Sequence, residues 1–217
     1  SIVLALFALL FGIPVAIISG IWAGIRPDSL LDRLVSTVSL IGISLPEFVT
    51  GVLLMFFLAS TLHLLPPSSN MMEGETPLTR PVILIMPAIT LTGVLFAYIM
   101  RMTRANVIEV MQSQYVRTAT LKGIPLRRVI VRHVLPNSML PTITIIAQNF
   151  GWMLGGLIIV ENVFAYPGLG LMLLGAMRHQ DVPLLEAIAL LISLTYVLSN
   201  LLADLVYLVI DPRMRLN

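Results

Sequence analysis

The chain has 217 residues, of which 58% are hydrophobic and 11% are charged, and its formal net charge is +2. A soluble domain carries about 25% charged residues, so this chain cannot cover itself with polar surface and needs a lipid bilayer as its solvent. The small net charge argues against nucleic-acid binding, and the absence of cysteine rules out disulfides and cysteine-ligated metal.

Five apolar stretches are long enough to cross a bilayer, because a spanning helix needs roughly 20 apolar residues. They are residues 1–25, 34–62, 82–100, 139–160 and 184–210. Only helices or closed barrels satisfy the backbone inside lipid, and these runs are too continuous for the alternating pattern of barrel strands. The sequence therefore predicts an all-α polytopic membrane protein with five transmembrane helices in one transmembrane domain, residues 1–217.

The basic residues predict the orientation, because Lys and Arg collect in cytoplasmic loops. Only Arg80 and Arg178 lie on one side of the predicted helices. The other side carries Arg26, Arg33, Arg101, Arg104, Arg117, Lys122, Arg127, Arg128, Arg132, Arg213 and Arg215. We therefore expect the first residue outside and the C-terminus in the cytoplasm.

Glu47 is the one charged residue within the second stretch and has two interpretations. A charge at the bilayer centre costs roughly 2.5–3.5 kcal/mol on insertion scales, so its place needs a reason. Glu47 either lies in mid-span and lines a path, where it would meet a cationic group such as a peptide amine, or follows Pro46 in the first turn of a helix that begins near the surface. In the second interpretation, which we favour, residues 30, 31, 34, 35, 38 and 41 form the apolar face of a helix lying at the interface.

The polar segment between the third and fourth stretches, residues 101–138, is basic and is predicted to be cytoplasmic. Between Arg104 and Lys122 apolar positions recur every three or four residues, which predicts one helix with an apolar stripe. The stripe consists of Ile108, Met111, Tyr115 and Ala119.

One glycine and two prolines predict how this segment continues. Gly123 stands where a helix ends with a left-handed residue, a conformation that glycine adopts readily. Pro125 fits the first turn of a second short helix, and Pro136 closes that helix because its ring cannot lie in a helix interior without a kink. An ordinary basic loop explains the charge alone. A capped helix with a hinge indicates more, since a short helix offered to a groove is a known recognition mode.

The fourth stretch carries polar and small residues. Gln148 and Asn149 lie near its middle, where they either hydrogen-bond to another helix or line a polar path. Gly151 and Gly155 form a Gly-x-x-x-Gly pattern, which is typical of closely packed helices. The connection that follows begins at Glu161 and contains Pro167, Gly168 and Gly170, a composition that marks turns.

No motif for catalysis or for nucleotide binding is present. The three histidines do not share metal-ligand spacing, so we predict no metal site. A phosphate-binding loop needs a Gly-Lys pair followed by Ser or Thr, and the one lysine, Lys122, precedes its glycine. If transport uses ATP, the ATPase is therefore a separate subunit.

Four motifs in order resemble the permeases of binding-protein-dependent ABC importers, in the dipeptide, oligopeptide and nickel branch. The second is the cytoplasmic "EAA" loop, whose spacing is matched by Ala119, Gly123, Leu135 and Pro136 within residues 115–136. The others are residues 44–51 (SLPEFVTG), 160–170 (VENVFAYPGLG), and 200–204 (NLLAD) with the tail at 211–213. The chain departs from the branch pattern at Glu47, Gln114 and Pro125.

The resemblance implies a subunit of the bacterial plasma membrane, not an enzyme, that forms a path for peptides, or else for nickel or another small solute. It implies two ATP-binding partner subunits that hold ATP and Mg, a second permease subunit that is homologous or identical, and an extracytoplasmic solute-binding protein. No cofactor is expected in this chain. The branch usually has six spans with an outer domain after the first, and the sequence begins at Ser1 without an initiator Met, so we expect the first span and that domain to be missing here.

The resemblance also assigns residues. It implies that the ATPase subunits receive the loop through Arg117, Ala119, Lys122, Gly123, Pro125, Arg127, Arg128, Leu135 and Pro136. It implies an outer gate or a contact with the binding protein at Glu161, Pro167, Gly168 and Gly170. A stand-alone ion-coupled secondary transporter would instead predict inverted repeats, of which the sequence shows no convincing example. A non-transporting membrane scaffold is the other alternative.

Overall fold

The computed structural model describes residues 1–71 and 75–210, apart from the side chains at positions 140, 144, 147–152, 154, 203, 204 and 206–210. The described part is helical. Its α-helices are α1 (Ile2–Ile25), α2 (Leu30–Ser44), α3 (Glu47–Leu54), α4 (Val82–Met111), α5 (Gln114–Leu121), α6 (Leu126–Val129), α7 (Leu135–Val163), α8 (Leu169–His179) and α9 (Val182–Ile210). Two π-helical segments, Met55–Thr61 and Ile130–Val134, follow α3 and α6.

Helices α1 and α4 pack in parallel with their backbones nearly in contact. Every fourth residue of α1 from position 8 to position 24 is alanine or glycine: Ala8, Gly12, Ala16, Gly20 and Gly24. Small residues at this spacing let two helices approach closely in a membrane. A methyl group at Gly20 would lie 2.6 Å from the carbonyl oxygen of Met100, and one at Gly24 would lie 2.9 Å from that of Arg104. This stripe was not predicted as a packing surface, although its spacing is visible in the sequence.

The second predicted stretch is a broken helix that runs beside α4. Arg104 binds Asp32 at the start of α2, and a methyl group at Gly42 near its end would lie 3.2 Å from the carbonyl oxygen of Gly93. The stretch from Asp32 to Gly42 thus runs antiparallel to the stretch from Gly93 to Arg104. The prediction of a helix lying at the membrane interface is therefore wrong, because α2 runs along the axis of α4.

The break itself lies where the second interpretation of Glu47 places it. Leu45 and Pro46 have an extended backbone, and Pro46 precedes the first residue of α3. The chain bends by 114° between the two helices. Beyond α3 the chain reaches Ser69, whose hydroxyl donates to the carbonyl oxygen of Ile83 at 2.7 Å. The segment from Asp32 to Ser69 therefore passes from one end of α4 to the other.

The two ends of the bundle differ in character. The basic end, where α4 reaches Met111 and where residues 112–134 lie, carries most of the arginines. At the opposite end, Ser69 joins α4 to the end of α7, because its N–H donates to the carbonyl oxygen of Phe164 at 2.7 Å. Helix α7 runs antiparallel to α4, and Thr142 near its start lies 3.3 Å from the hydroxyl of Thr103.

Three helices are long and apolar enough to cross a membrane: α1, α4 and the Val182–Leu202 part of α9. The bent pair of α2 with α3 and its π-helical extension is a fourth candidate. The 29-residue α7 covers the fourth predicted stretch, and several of its side chains fall outside the described part. All described elements are helical, as predicted, while α4 extends eleven residues past its predicted end at residue 100.

Candidate functional site

The basic end is built as a charged surface on an apolar base. The buried residues of the base are Val107, Val116, Ala119, Val129 and Val134, with Ile21, Ile25, Val110, Met111 and Ile124 packed around them. Since these residues come from α1, α4, α5, α6 and the π-helical segment before α7, the base ties the short helices to the ends of the long ones.

The predicted helix from Arg104 to Lys122 is wrong, because the chain breaks at Gln112 and Ser113. Helix α4 continues to Met111, and Ser113 has an extended backbone immediately before α5. The buried face of α5 consists of Val116 and Ala119, whereas Tyr115 is 46% exposed. The predicted stripe joined residues of two separate helices.

Gly123 ends α5 as the sequence predicts. Its φ is +76°, in the left-handed region. Its N–H donates to the carbonyl oxygen of Thr120 at 3.0 Å, and the N–H of Ile124 donates to that of Ala119 at 3.3 Å. These two bonds and the contact of Ile124 with the apolar base make a Schellman motif. A methyl group at Gly123 would meet nothing within 4 Å, so its backbone conformation alone favours glycine.

The second short helix does not close at Pro136. Pro125 precedes α6, one residue earlier than expected, and its carbonyl oxygen accepts the N–H of Arg128 at 2.8 Å. The backbone then stays helical through the π-helical segment into α7, where Pro136 is in the first turn. The N–H of Leu135 donates to Ile130, five residues back. This shift brings Pro136 to a new helical start, where its missing N–H is tolerated.

The predicted coupling residues divide into an exposed set and an inner set. Arg117, Lys122, Gly123, Pro125, Arg127, Arg128 and Pro136 are exposed, Leu135 is half-buried and Ala119 is buried. A shallow groove is lined by Pro125, Arg127, Arg128, Val131 and Arg132. With Leu121 80% and Val131 59% exposed, this face offers both charge and apolar surface. Ala119 supports the face from below and is not available to a partner while α5 is docked.

The ion pair that links α2 to α4 was not predicted from the sequence. The side chain of Arg104 donates to both carboxylate oxygens of Asp32, from Nε at 2.5 Å and from Nη2 at 2.8 Å. Asp32 also accepts the N–H of Asp28 at 2.9 Å and the hydroxyl of Ser36 at 3.1 Å. Asp32 is buried, and these hydrogen bonds give both of its carboxylate oxygens a partner. Its 72-residue separation from Arg104 left no local spacing from which the pair could be predicted.

Glu47 is buried between α3 and α7. It is 8% exposed, and its Oε1 has no hydrogen-bond partner in the structure. A methyl group at Gly156 would lie 2.5 Å from Oε2 and 2.6 Å from Oε1, so the carboxylate rests on the bare backbone of α7. Of the predicted pair, Gly155 has nothing within 4 Å and Gly151 lies outside the described part, whereas Gly156 makes a close contact.

The other two predicted path residues, Gln148 and Asn149, have side chains outside the described part of the structure. Their backbone belongs to α7, with Asn149 two helical turns before Gly156.

The predicted outer residues fold around the carboxylate of Glu161. Glu161, Gly168 and Gly170 are buried, and Pro167 is exposed. Oε2 of Glu161 accepts the N–H of Gly170 at 2.7 Å, in the first turn of α8. A methyl group at Gly168 would overlap this carboxylate. Glu161 therefore holds the start of α8 and has no surface to offer.

Tyr166 completes this turn. It is 2% exposed, and its N–H donates to the carbonyl oxygen of Glu161 at 2.8 Å. Burial, with a smaller contribution from the charge of Glu161, raises the pKa of the Tyr166 hydroxyl above its ordinary value. Among the described residues, no group of three His, Cys, Asp or Glu side chains could hold a metal ion.

The fold and the basic end define a multi-pass helical membrane protein with an exposed basic face at one end of its helices. The chain matches the family described as "Binding-protein-dependent transport system inner membrane component" over residues 12–216, and it belongs to that family. It is a component of a transport system of the inner membrane, not an enzyme, as the sequence predicts.

Its relatives include permeases of several importers. The chain is 36% identical over 99% of its length to a probable peptide ABC transporter permease protein of Sinorhizobium fredii, covering 69% of that protein. It is 37% identical over 96% of its length to the glutathione transport system permease protein of Pectobacterium atrosepticum, covering 64% of it. It is 34% identical over 97% of its length to the dipeptide transport system permease protein of Escherichia coli, covering 68% of it. The chain thus spans about two thirds of the length of these relatives.

Proposed function

We propose that this chain forms the transmembrane path of an ATP-driven importer of peptides and is driven through residues 114–136 by separate ATPase subunits. The observation that carries the proposal is the exposed basic face of α5 and α6 on a buried apolar base shared with α1 and α4. Peptide cargo is supported by the relatives, which are named for peptides, a dipeptide and glutathione.

The apolar base supplies the mechanical connection. A partner that moves α5 and α6 moves Val116 and Val129, which belong to the same buried cluster as Val107 of α4. Helix α4 in turn holds α2 through Arg104 and Asp32 and lies against α1 along the glycine stripe. Motion at the basic end therefore reaches three membrane helices. This is a coupling free energy between two sites, one for ATP on the partner and one for the cargo.

The proposed assembly contains two ATP-binding subunits, a second permease subunit that is homologous or identical, and an extracytoplasmic solute-binding protein. ATP and Mg lie in the ATPase subunits, since this chain has no phosphate-binding loop. The basic end faces the cytoplasm and the first residue lies outside, as the distribution of Lys and Arg favours. Pro167 is the exposed member of the predicted outer contact set.

Charge reversal of the docking face tests the coupling. In proteoliposomes with the complete importer, we expect Arg127→Glu with Arg128→Glu to reduce ATP-driven uptake of a labelled alanine dipeptide at least tenfold while the protein still inserts. The exposed Arg178 at the opposite end provides the control, and Arg178→Glu should leave uptake within twofold.

The rival functions give different results in the same system. Normal uptake by the double charge reversal would remove the coupling role of this face. Uptake by the permease alone, driven by a proton or sodium gradient without nucleotide, would indicate a secondary transporter. ATPase subunits that bind the chain without any uptake by the wild type would indicate a scaffold.

A further inference from the structure

Glu47 places a carboxylate inside the helix bundle with no cation beside it. Its side chain is more than nine-tenths buried, and Oε1 lacks a hydrogen-bond partner. None of the ion pairs among the described residues includes it. An ionisable group at membrane depth is expensive, and such groups mark the path of an ion or a substrate.

The surroundings of the carboxylate define what it can bind. It rests on the backbone of Gly156, where a side chain as small as a methyl would collide with it. The carboxylate is thus packed against α7, and a cation reaches it only after α3 and α7 separate. A metal ion would need several more ligands, and the described residues hold no group of three metal-binding side chains. A primary ammonium needs one carboxylate and donates three N–H groups, so it matches this site.

The break at Leu45 and Pro46 gives the carboxylate a way to become accessible. Helix α2 is fixed to α4 at its start by Asp32, whereas α3 begins after two extended residues. Residues at the ends of elements are the usual hinges of such motions. Separation of α3 from α7 would uncover Glu47 and would also let water or a cation reach its unpaired oxygen, which favours the open arrangement.

We propose that the Glu47 carboxylate binds the positively charged amino terminus of the transported peptide when α3 separates from α7. This inference rests on the proposed function, because it needs a peptide cargo. It also separates this chain from a permease with a neutral residue at position 47, in which no charge would recognise the amino terminus.

The test compares two probes that differ in the amino group alone. The permease and ATPase subunits of the importer are reconstituted together in lipid nanodiscs without the solute-binding protein, and saturation-transfer NMR at pH 7 detects weak binding of Ala-Ala or of N-acetyl-Ala-Ala. We expect Ala-Ala to bind the wild type and Glu47→Asp, which keeps the charge, and to lose at least nine-tenths of its signal with Glu47→Gln. N-acetyl-Ala-Ala should give no more signal with the wild type than with Glu47→Gln. Glu109→Gln, at an exposed glutamate of α4, is the matched control and should bind like the wild type.

ATP-driven uptake of labelled Ala-Ala in proteoliposomes separates the two proposals. Absence of ATP-driven uptake by the wild type contradicts the proposed importer function. Uptake by the wild type with equal NMR signals for wild type and Glu47→Gln, or with equal signals for both probes, overturns the amino-terminus site. The same holds if the wild type transports Ala-Ala but shows no signal, or if Glu47→Gln transports Ala-Ala as the wild type does, since the charge of Glu47 would then not be needed for recognition.

Discussion

Asp32 and Glu47 are buried carboxylates fifteen residues apart on the same broken helix, and they differ in their hydrogen-bond partners. Asp32, at the start of α2, accepts hydrogen bonds from Arg104, Asp28 and Ser36. Glu47, just after the break, has an oxygen with no partner and rests on Gly156. Burial is costly for both charges, so the partners decide what each does.

The difference assigns separate roles to the two halves of the broken helix. The half with Asp32 is bound to α4 at the basic end and must move with it. The half with Glu47 is held by packing against α4 and α7, and its unpaired oxygen opposes that packing. A two-state element needs such an asymmetry, with one fixed end and one end whose contacts are close to balance. The following predictions test this contrast.

Removal of the arginine partner should have the largest effect on stability. Arg104→Met leaves the charge of Asp32 buried without compensation, and loss of one partner of a buried pair costs about 3–5 kcal/mol. We expect about 3 kcal/mol because Arg104 is itself 30% exposed. Thermal unfolding in detergent measures the loss. Arg101→Met, at an exposed arginine one turn earlier, is the control, and equal melting temperatures for the two variants would contradict the anchoring role.

A methyl group placed against the Glu47 carboxylate should destabilise the fold. Gly156→Ala adds this methyl group, and overpacking of this kind costs about 1–3 kcal/mol, here about 2 kcal/mol. Gly155→Ala is the neighbouring control, because nothing lies within 4 Å of that position. Adding Glu47→Ala to Gly156→Ala should recover most of the loss. If both glycine variants unfold at the same temperature, the contact between Glu47 and Gly156 is not formed.

The contrast between Asp32 and Glu47 also shows what the sequence could reveal. Local signals were reliable: uncharged runs predicted the helices, and Gly123 predicted the end of α5 because a left-handed residue has a local signature. The ion pair of Asp32 with Arg104 was not predictable, since no periodicity relates residues on different helices. The break after Leu45 was foreseen from Pro46, but the direction of α2 depends on its contacts with α4.

The prediction for the loop at the basic end was wrong for a related reason. A stripe read at helical spacing across residues 104–122 assumed an unbroken helix, and Ser113 interrupts it with an extended backbone. Pro136 was expected to end a helix. The π-helical segment before it shifted the hydrogen bonds, an adjustment of the backbone that side-chain patterns do not display. Glu161 was predicted to belong to an outer gate or to a contact with the binding protein, whereas its carboxylate is buried against the backbone of Gly168 and Gly170.

Glu161 provides an intermediate case, since one of its oxygens is bound to a backbone N–H. Glu161→Gln removes the charge that favours the start of α8 and weakens the bond from Gly170, which is worth about 1.5 kcal/mol. Hydrogen exchange should become faster at the amide of Gly170 and in the first turn of α8. Asn162→Ala, at the exposed neighbouring residue, should leave this exchange unchanged, and unaltered exchange in Glu161→Gln would mean that the carboxylate does not cap α8.

Gly123 tests the basic end without altering any charge, and we expect the smallest effect there. A methyl group at this position meets no neighbour, so Gly123→Ala adds only the strain of a left-handed backbone, about 1 kcal/mol. Gly123→Asn should cost less, because asparagine tolerates this conformation better. Thermal unfolding of the two variants gives the order. If alanine were no worse than asparagine, steric strain at φ +76° would not be what selects glycine, and the docking of α5 on the apolar base would have to depend on the contacts of Val116, Ala119 and Ile124.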